Sequence, residues 1–117
     1  VQNYKDLKVW EKAHSFTLQV YECTKVFPKE ELYSLTNQLR RSASSIPANI
    51  AEGCGKNSNQ EFAHFLNIAL GSSNESEYFL ILSKDLSYLK EEIFQTLFKL
   101  INEVKGMLIA LINKVRS

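Results

Sequence analysis

Glu61-Phe62-Ala63-His64 places a carboxylate and an imidazole three residues apart, the Glu-x-x-His spacing used by di-iron helical bundles. A dinuclear site needs two such copies and further inward glutamates. This chain has one copy, and Glu61 is also the third residue after Ser58 in a capping-box pattern. No metal site is expected. Glu75 and Glu77 are two residues apart and point to different sides of a helix, so they do not form the facing carboxylates that general acid–base chemistry wants. Cys23 and Cys54 lie in no C-x-x-C motif, and neither His14 nor His64 completes a metal spacing near them. They read as free thiols on core-facing or half-buried helix faces. No phosphate-cradling Gly-x-Gly-x-x-Gly or Gly-x-x-x-x-Gly-Lys-Ser/Thr occurs. No catalytic residue and no cofactor is expected, and an enzyme is the remotest functional reading.

The densest polar cluster is Arg40-Arg41-Ser42-Ala43-Ser44-Ser45-Ile46-Pro47-Ala48-Asn49-Ile50-Ala51-Glu52-Gly53. Leu32, Leu35, Leu39, Ala43, Ile46 and Ile50 run through it at three- and four-residue steps, one face of a helix. Pro47 interrupts the helix's hydrogen bonding. A proline there frees the carbonyl of Ala43, and a kinked helix is one expectation. A true break near Ser45, with Pro47 in the first turn of a new helix, is the other. Ser44 and Ser45 are candidates for repairing the backbone locally. Arg41, Asn49 and Glu52, with Glu75 answering Arg41 from a neighbouring helix, are expected either to form a structural polar network or to stand as solvated surface groups.

The elements that must position these groups follow from pattern and punctuation. Four Gly and two Pro in 117 residues argue for few, long elements rather than a turn-rich β-sandwich. A first amphipathic helix is predicted from Leu7 to about Phe27, stopped by Phe27-Pro28. The second starts at Pro28-Lys29-Glu30-Glu31, or after a short turn near Ser34, and runs to about Cys54. Gly53 to Asn59 is the clearest loop. Ser58 with Glu61 sets the start of a third helix, reaching about Ser87. Its inward side is small in the middle, and Gly71 within it implies a packing reason, because mid-helix glycine costs about 1 kcal/mol. Tyr88-Leu89-Lys90 is a weakly signalled turn before a fourth helix opened by Glu91 and Glu92. The fourth helix has an apolar face wider than one bundle core needs, which suggests an oligomer interface. The fold class is all-α, an antiparallel up-down-up-down four-helix bundle forming one domain over residues 1–117.

Hydrophobic residues make up 44% of the chain, and the net charge is +1 from 14 basic and 13 acidic residues. Residues 1–60 carry eight basic and six acidic groups, the remainder six and seven. There is no polybasic tail, and composition does not show the concentrated positive face that non-specific nucleic-acid binding uses; folding or oligomer symmetry could gather one. No apolar run approaches membrane-spanning length and no signal peptide is seen, so a cytoplasmic location without membrane partners is expected.

Tyr4-Lys5-Asp6-Leu7-Lys8-Val9-Trp10, Phe27-Pro28-Lys29-Glu30-Glu31-Leu32-Tyr33, Gln38-Leu39-Arg40-Arg41, Ser45-Ile46-Pro47-Ala48-Asn49-Ile50-Ala51-Glu52-Gly53, and Glu61-Phe62, Phe65-Leu66, Ala69, Gly71-Ser72 and Glu75 stand out together. The chain closely resembles, over essentially its whole length, the bacterial four-helix-bundle family also known as the 23S ribosomal RNA intervening-sequence protein or S23 family. It departs from the family mildly: Ser42 and Ser44 stand where Ala-like residues are common, Asn74 is more polar, and Lys90 weakens the usual turn. The resemblance implies self-assembly, as a pentamer in the related accessory proteins of diversity-generating retroelements. There a ring-like homopentamer helps reverse transcriptase and nucleic acid together; those proteins are strongly basic, unlike this chain.

The leading expectation is a non-catalytic, homo-oligomeric scaffold with an unidentified partner. The alternative is an RNA- or DNA-binding accessory protein acting with RNA or a reverse transcriptase, for which Lys5, Lys8, Lys12, Arg40, Arg41 and Lys56 are the candidate phosphate contacts.

Overall fold

The computed structural model describes residues 2–117. Four helices, α1 (Lys8–Thr24), α2 (Leu35–Cys54), α3 (Asn59–Asp85) and α4 (Glu91–Arg116), are preceded by a 3-10 turn at Tyr4–Asp6 and interrupted by a second at Lys29–Glu31. Each helix packs on its neighbour in sequence, and α4 closes on α1. The result is the expected all-α four-helix bundle.

Each helix buries one stripe. In α1 it is Val9, Ala13, Phe16, Thr17, Val20 and Thr24; in α4 it is Phe94, Leu97, Ile101, Val104, Leu108 and Ile112. Phe16, Leu39, Ile46, Ile50, Leu66, Leu80, Leu97, Ile101 and Leu108 are fully enclosed at the centre. Burying such a side chain contributes about 1.5–3 kcal/mol before entropy is set against it.

The helix ends have identifiable causes. Helix α1 stops at Thr24 because Pro28 keeps Phe27 from continuing the helix. The main part of α2 starts after the 3-10 turn, at Leu35, which selects the later of the two expected starts. The Glu31 carboxylate accepts from Leu35 N–H at 3.4 Å and from the Tyr88 hydroxyl at 2.9 Å. It thereby occupies an orphan donor of the α2 N-terminus and ties the α1–α2 connection to the α3–α4 connection. Phe27 and Tyr88 pack ring against ring at 5.4 Å in the same place. Ser58 Oγ accepts from Glu61 N–H at 3.1 Å and opens α3 as expected.

Helix α2 runs unbroken through Pro47, so the expected alternative of two helices meeting near Ser45 is corrected. Leu86, within the expected span of α3, lies past the last helical residue and is exposed. The α3 terminus closes with Ser87 N–H donating to Lys84 O and Tyr88 N–H to Ser83 O, with Ser87 in the left-handed region at φ 66°. At the other end of the bundle, Gly53 lets α3 cross close to α2: a Cβ there would stand 3.0 Å from Phe62 Cδ1 and 3.0 Å from Phe65 Cβ.

Candidate functional site

The proline sets the chemistry of the central seam. Pro47 has no N–H for the carbonyl of Ala43. Thr17 of α1 supplies the donor: its Oγ1 lies 3.0 Å from Ala43 O and 2.9 Å from Ala13 O. One hydroxyl proton serves both carbonyls, one in its own helix and one across the bundle. Ser44 and Ser45, the local candidates for this repair, act elsewhere. Ser44 Oγ donates to Arg41 O at 3.3 Å, and Ser45 faces α3. The sequence signal for Thr17 is a hydroxyl standing in an otherwise apolar inward stripe.

Between α2 and α3 the hydroxyls pair. Ser76 donates to Ser42 Oγ at 2.9 Å, and Ser42 donates to Leu39 O at 3.1 Å. Ser45 and Ser72 lie 2.9 Å apart, and Asn49 Nδ2 donates to Ser45 O at 2.8 Å and to Ser45 Oγ at 2.9 Å. Ser73 donates to Ala69 O at 2.9 Å. These small side chains bring the two helices together while the buried hydroxyls of Ser42, Ser73 and Ser76 each keep a partner; the buried Thr36 Oγ1 of α2 has none among the described residues. Among the described residues, none of these hydroxyls is hydrogen-bonded to an imidazole or a carboxylate.

The four residues expected to form a network are not joined into one. Arg41 and Glu75 line one polar groove of about 340 Å³ with Asn37, Gln38, Ser42, Ser45 and Ser72, but they make no ion pair with each other. Asn49 bonds to Ser45. Glu52 is exposed and pairs with Lys56, one turn further on, at 3.2 Å. The physical reason is distance along the helix: Arg41 and Glu52 lie eleven residues apart, about 16 Å of rise. Glu52 instead finds the cation beside the α2 C-terminus.

The candidate phosphate contacts divide between locations. Lys5, Lys8 and Lys56 lie at the end of the bundle where Gln2 N–H bonds to Cys54 O. Lys12 pairs with Glu103 across the α1–α4 seam and holds that carboxyl below its usual range through its hydrogen bond. Arg40 sits over the Tyr21 ring at 4.9 Å and donates to Thr24 Oγ1 at 2.8 Å, near the far end of α1. From Lys8 to Thr24 is about 24 Å of helix, so Arg40 and Lys8 cannot grip one phosphate.

Glu61 and His64 are both exposed; Glu61 is held by Ser58, and His64 stands edge-on to Phe65. Among the described residues, no three His, Cys, Asp or Glu side chains gather to hold a metal. Both thiols are free, and burial pushes Cys23 up to about 11 and raises Cys54 as well. Unactivated thiols of this kind are structural rather than reactive. No helix among the described residues is long and apolar enough to cross a membrane. An apolar groove of about 650 Å³ lies between α1 and α4, lined by Cys23, Val26, Tyr88, Leu89, Ile93 and Leu97 among others. Val26 on its rim is 81% exposed.

Residues 5–110 match the family model described as 23S rRNA-intervening sequence protein. A crystal structure of a protein of unknown function from the S23 ribosomal protein family of Bacteroides thetaiotaomicron VPI-5482 superposes with a TM-score of 0.82 at 30% identity. The match covers 89% of this chain and 97% of that one. No curated protein matches the chain.

Proposed function

This chain belongs to the 23S rRNA-intervening sequence protein family, and we propose that it works there as a non-catalytic helical scaffold that self-assembles and holds a macromolecular partner. The observation that carries this reading is the apolar groove between α1 and α4, with Val26 and Ile93 exposed at its edge. Open apolar surface of this kind favours association. The seam hydroxyls are spent on backbone carbonyls and on each other, which supports a structural role for them. A bend in α2 at Pro47 is part of the same reading, supported by the cross-bundle donor from Thr17. Light scattering and native mass measurement at micromolar concentration test the assembly. Species of two or more chains are expected; a strict monomer overturns it.

A second reading, an RNA- or DNA-binding accessory protein acting with a reverse transcriptase or RNA, is favoured by Lys5, Lys8 and Lys56 standing at one end of the bundle. It predicts binding to structured RNA that weakens steeply with salt. Absence of binding at low salt removes it.

A further inference from the structure

The α1–α4 groove is apolar and open, with Val26 and Ile93 exposed at its edge. A two-fold axis would lay this concave surface on itself and enclose empty space. It needs a ridge from a different surface of the next copy, and a contact of that heterologous kind closes into a ring. The bundle is 43 Å long and 24 by 20 Å across, so copies standing side by side share the most area. Rotation about an axis parallel to the bundle adds no shift along it, so residues at equal height meet.

Helices α1 and α4 form one side of the bundle, and α2 and α3 form the opposite side. Rotating one copy into the next sets α1 against the partner's α2 and α4 against the partner's α3. On α3, Glu75, Phe79, Leu82 and Leu86 follow at three- and four-residue steps along one face, and Leu86 is exposed. This ridge lies where α3 ends, the same end of the bundle at which the groove opens. Beyond the apolar zone the charges match. Glu75 on α3 and Lys99 on α4 have no ion-pair partner among the described residues, and neither has Arg41 on α2. Glu22 on α1 pairs only with Lys25 of the same exposed surface. The Ser45–Ser72 contact sets Arg41 and Glu75 at one height, and the Arg40–Thr24 bond brings Glu22 within about a turn of it. Lys99 lies three residues from Thr96, which lines the α1–α4 seam with Gln19.

Two glycines give an independent sign. Gly71 in α3 and Gly106 in α4 both stand mid-helix, where glycine is unfavourable, and a Cβ at either would meet nothing within 4 Å. No packing inside the chain accounts for them. Gly71 lies four residues from Glu75 and Gly106 seven from Lys99, on the same faces and toward the same end of the bundle.

We propose that the α1–α4 groove of one copy receives the α3 ridge of the next, in a closed ring of parallel bundles. Val26 and Ile93 then pack on the partner's Leu82 and Leu86. Lys99 meets the partner's Glu75, Glu22 meets the partner's Arg41, and the two glycines let α4 approach the partner's α3. The contact rests on the self-assembly reading and names both of its surfaces.

The test uses sedimentation equilibrium and native mass measurement, with circular dichroism confirming that each variant is folded. Wild type is expected as a species of three or more chains. Val26→Glu disables the groove and Leu86→Glu disables the ridge; both positions are exposed, so folding is retained. Each variant alone is expected to associate at least about tenfold more weakly. Mixed, they form a one-to-one dimer and nothing larger, because one intact groove remains for one intact ridge. Lys99→Glu and Glu75→Lys each weaken association at least about tenfold, and the double swap restores it to within about threefold. A wild type that stays monomeric overturns this contact and the self-assembly reading together. A wild type that stops at a dimer overturns the ring contact and leaves self-assembly standing. An oligomer indifferent to Val26→Glu or Leu86→Glu, a mixture without the one-to-one dimer, or a double swap without rescue overturns the contact alone.

Discussion

Thr17 on α1 places its hydroxyl 3.0 Å from the carbonyl oxygen of Ala43 on α2, the carbonyl that Pro47 leaves without its helical partner. The two residues are coupled through a defect in a third. Thr17→Val keeps the shape and removes the donor, leaving a buried carbonyl unsatisfied, and is expected to cost about 1–3 kcal/mol. In a Pro47→Ala background the residue 47 N–H returns to Ala43 O, so the same Thr17→Val change is expected to cost less. Urea midpoints for the four proteins, at constant slope, give the coupling energy. Equal costs in both backgrounds refute it.

The need for such a donor was legible in the sequence, and its identity was not. Pro47 dictates that Ala43 loses a partner, because that follows from covalent geometry alone. That the donor comes from twenty-six residues upstream depends on how α1 crosses α2, which local pattern does not encode. Leu35, Leu39, Ala43, Ile46 and Ile50 of the α2 stripe, the stop before Pro28 and the cap at Ser58 are local, and they read correctly; Leu32, counted in that stripe, is exposed and lies before α2. The turn after α3 read poorly because Ser87, rather than glycine, takes the left-handed position. The proposed joining of Arg41, Asn49, Glu52 and Glu75 failed as a single network because helical spacing says which residues share a face, not which partner each one finds. Glu52 found Lys56.

Gly53 is held by space rather than by backbone conformation. A Cβ at 3.0 Å from Phe65 Cβ and 3.0 Å from Phe62 Cδ1 forces α2 and α3 apart where α3 begins. Gly53→Ala is expected to destabilise the fold by about 1–3 kcal/mol despite alanine's better helix propensity. Thermal unfolding would show a lowered midpoint. A raised midpoint would mean that the two phenylalanines yield without cost.

Ser87 predicts the opposite sign. Its φ of 66° strains an L side chain, and the residue is exposed, so it gains nothing from packing. Ser87→Gly relieves the left-handed strain and is expected to stabilise by about 1 kcal/mol. Ser87→Val, branched at Cβ, is expected to destabilise relative to serine. Chemical denaturation of the three proteins ranks them, and any order other than Gly, Ser, Val contradicts the strain argument.

Cys23 and Tyr88 together predict how stability depends on alkaline pH. Burial holds the Cys23 thiol at about 11, and the hydrogen bond to Glu31 raises the Tyr88 phenol above its ordinary value. Both groups are neutral when protonated, so the folded chain keeps protons that the unfolded chain releases. With a raised folded pKa, stability is full below the unfolded value and is lost as pH rises through the folded one. For Cys23 that window opens at about 9 and closes at about 11; for Tyr88 it opens at about 10. Urea midpoints measured from pH 8 to 11 should therefore fall more steeply in wild type than in Cys23→Ala, the difference beginning near pH 9. Tyr88→Phe should flatten only the upper part of the curve. Comparing slopes rather than absolute stabilities separates the titration from the small cavity that alanine leaves. Parallel curves for wild type and Cys23→Ala between pH 8 and 10 would show that the thiol ionises alike in both states.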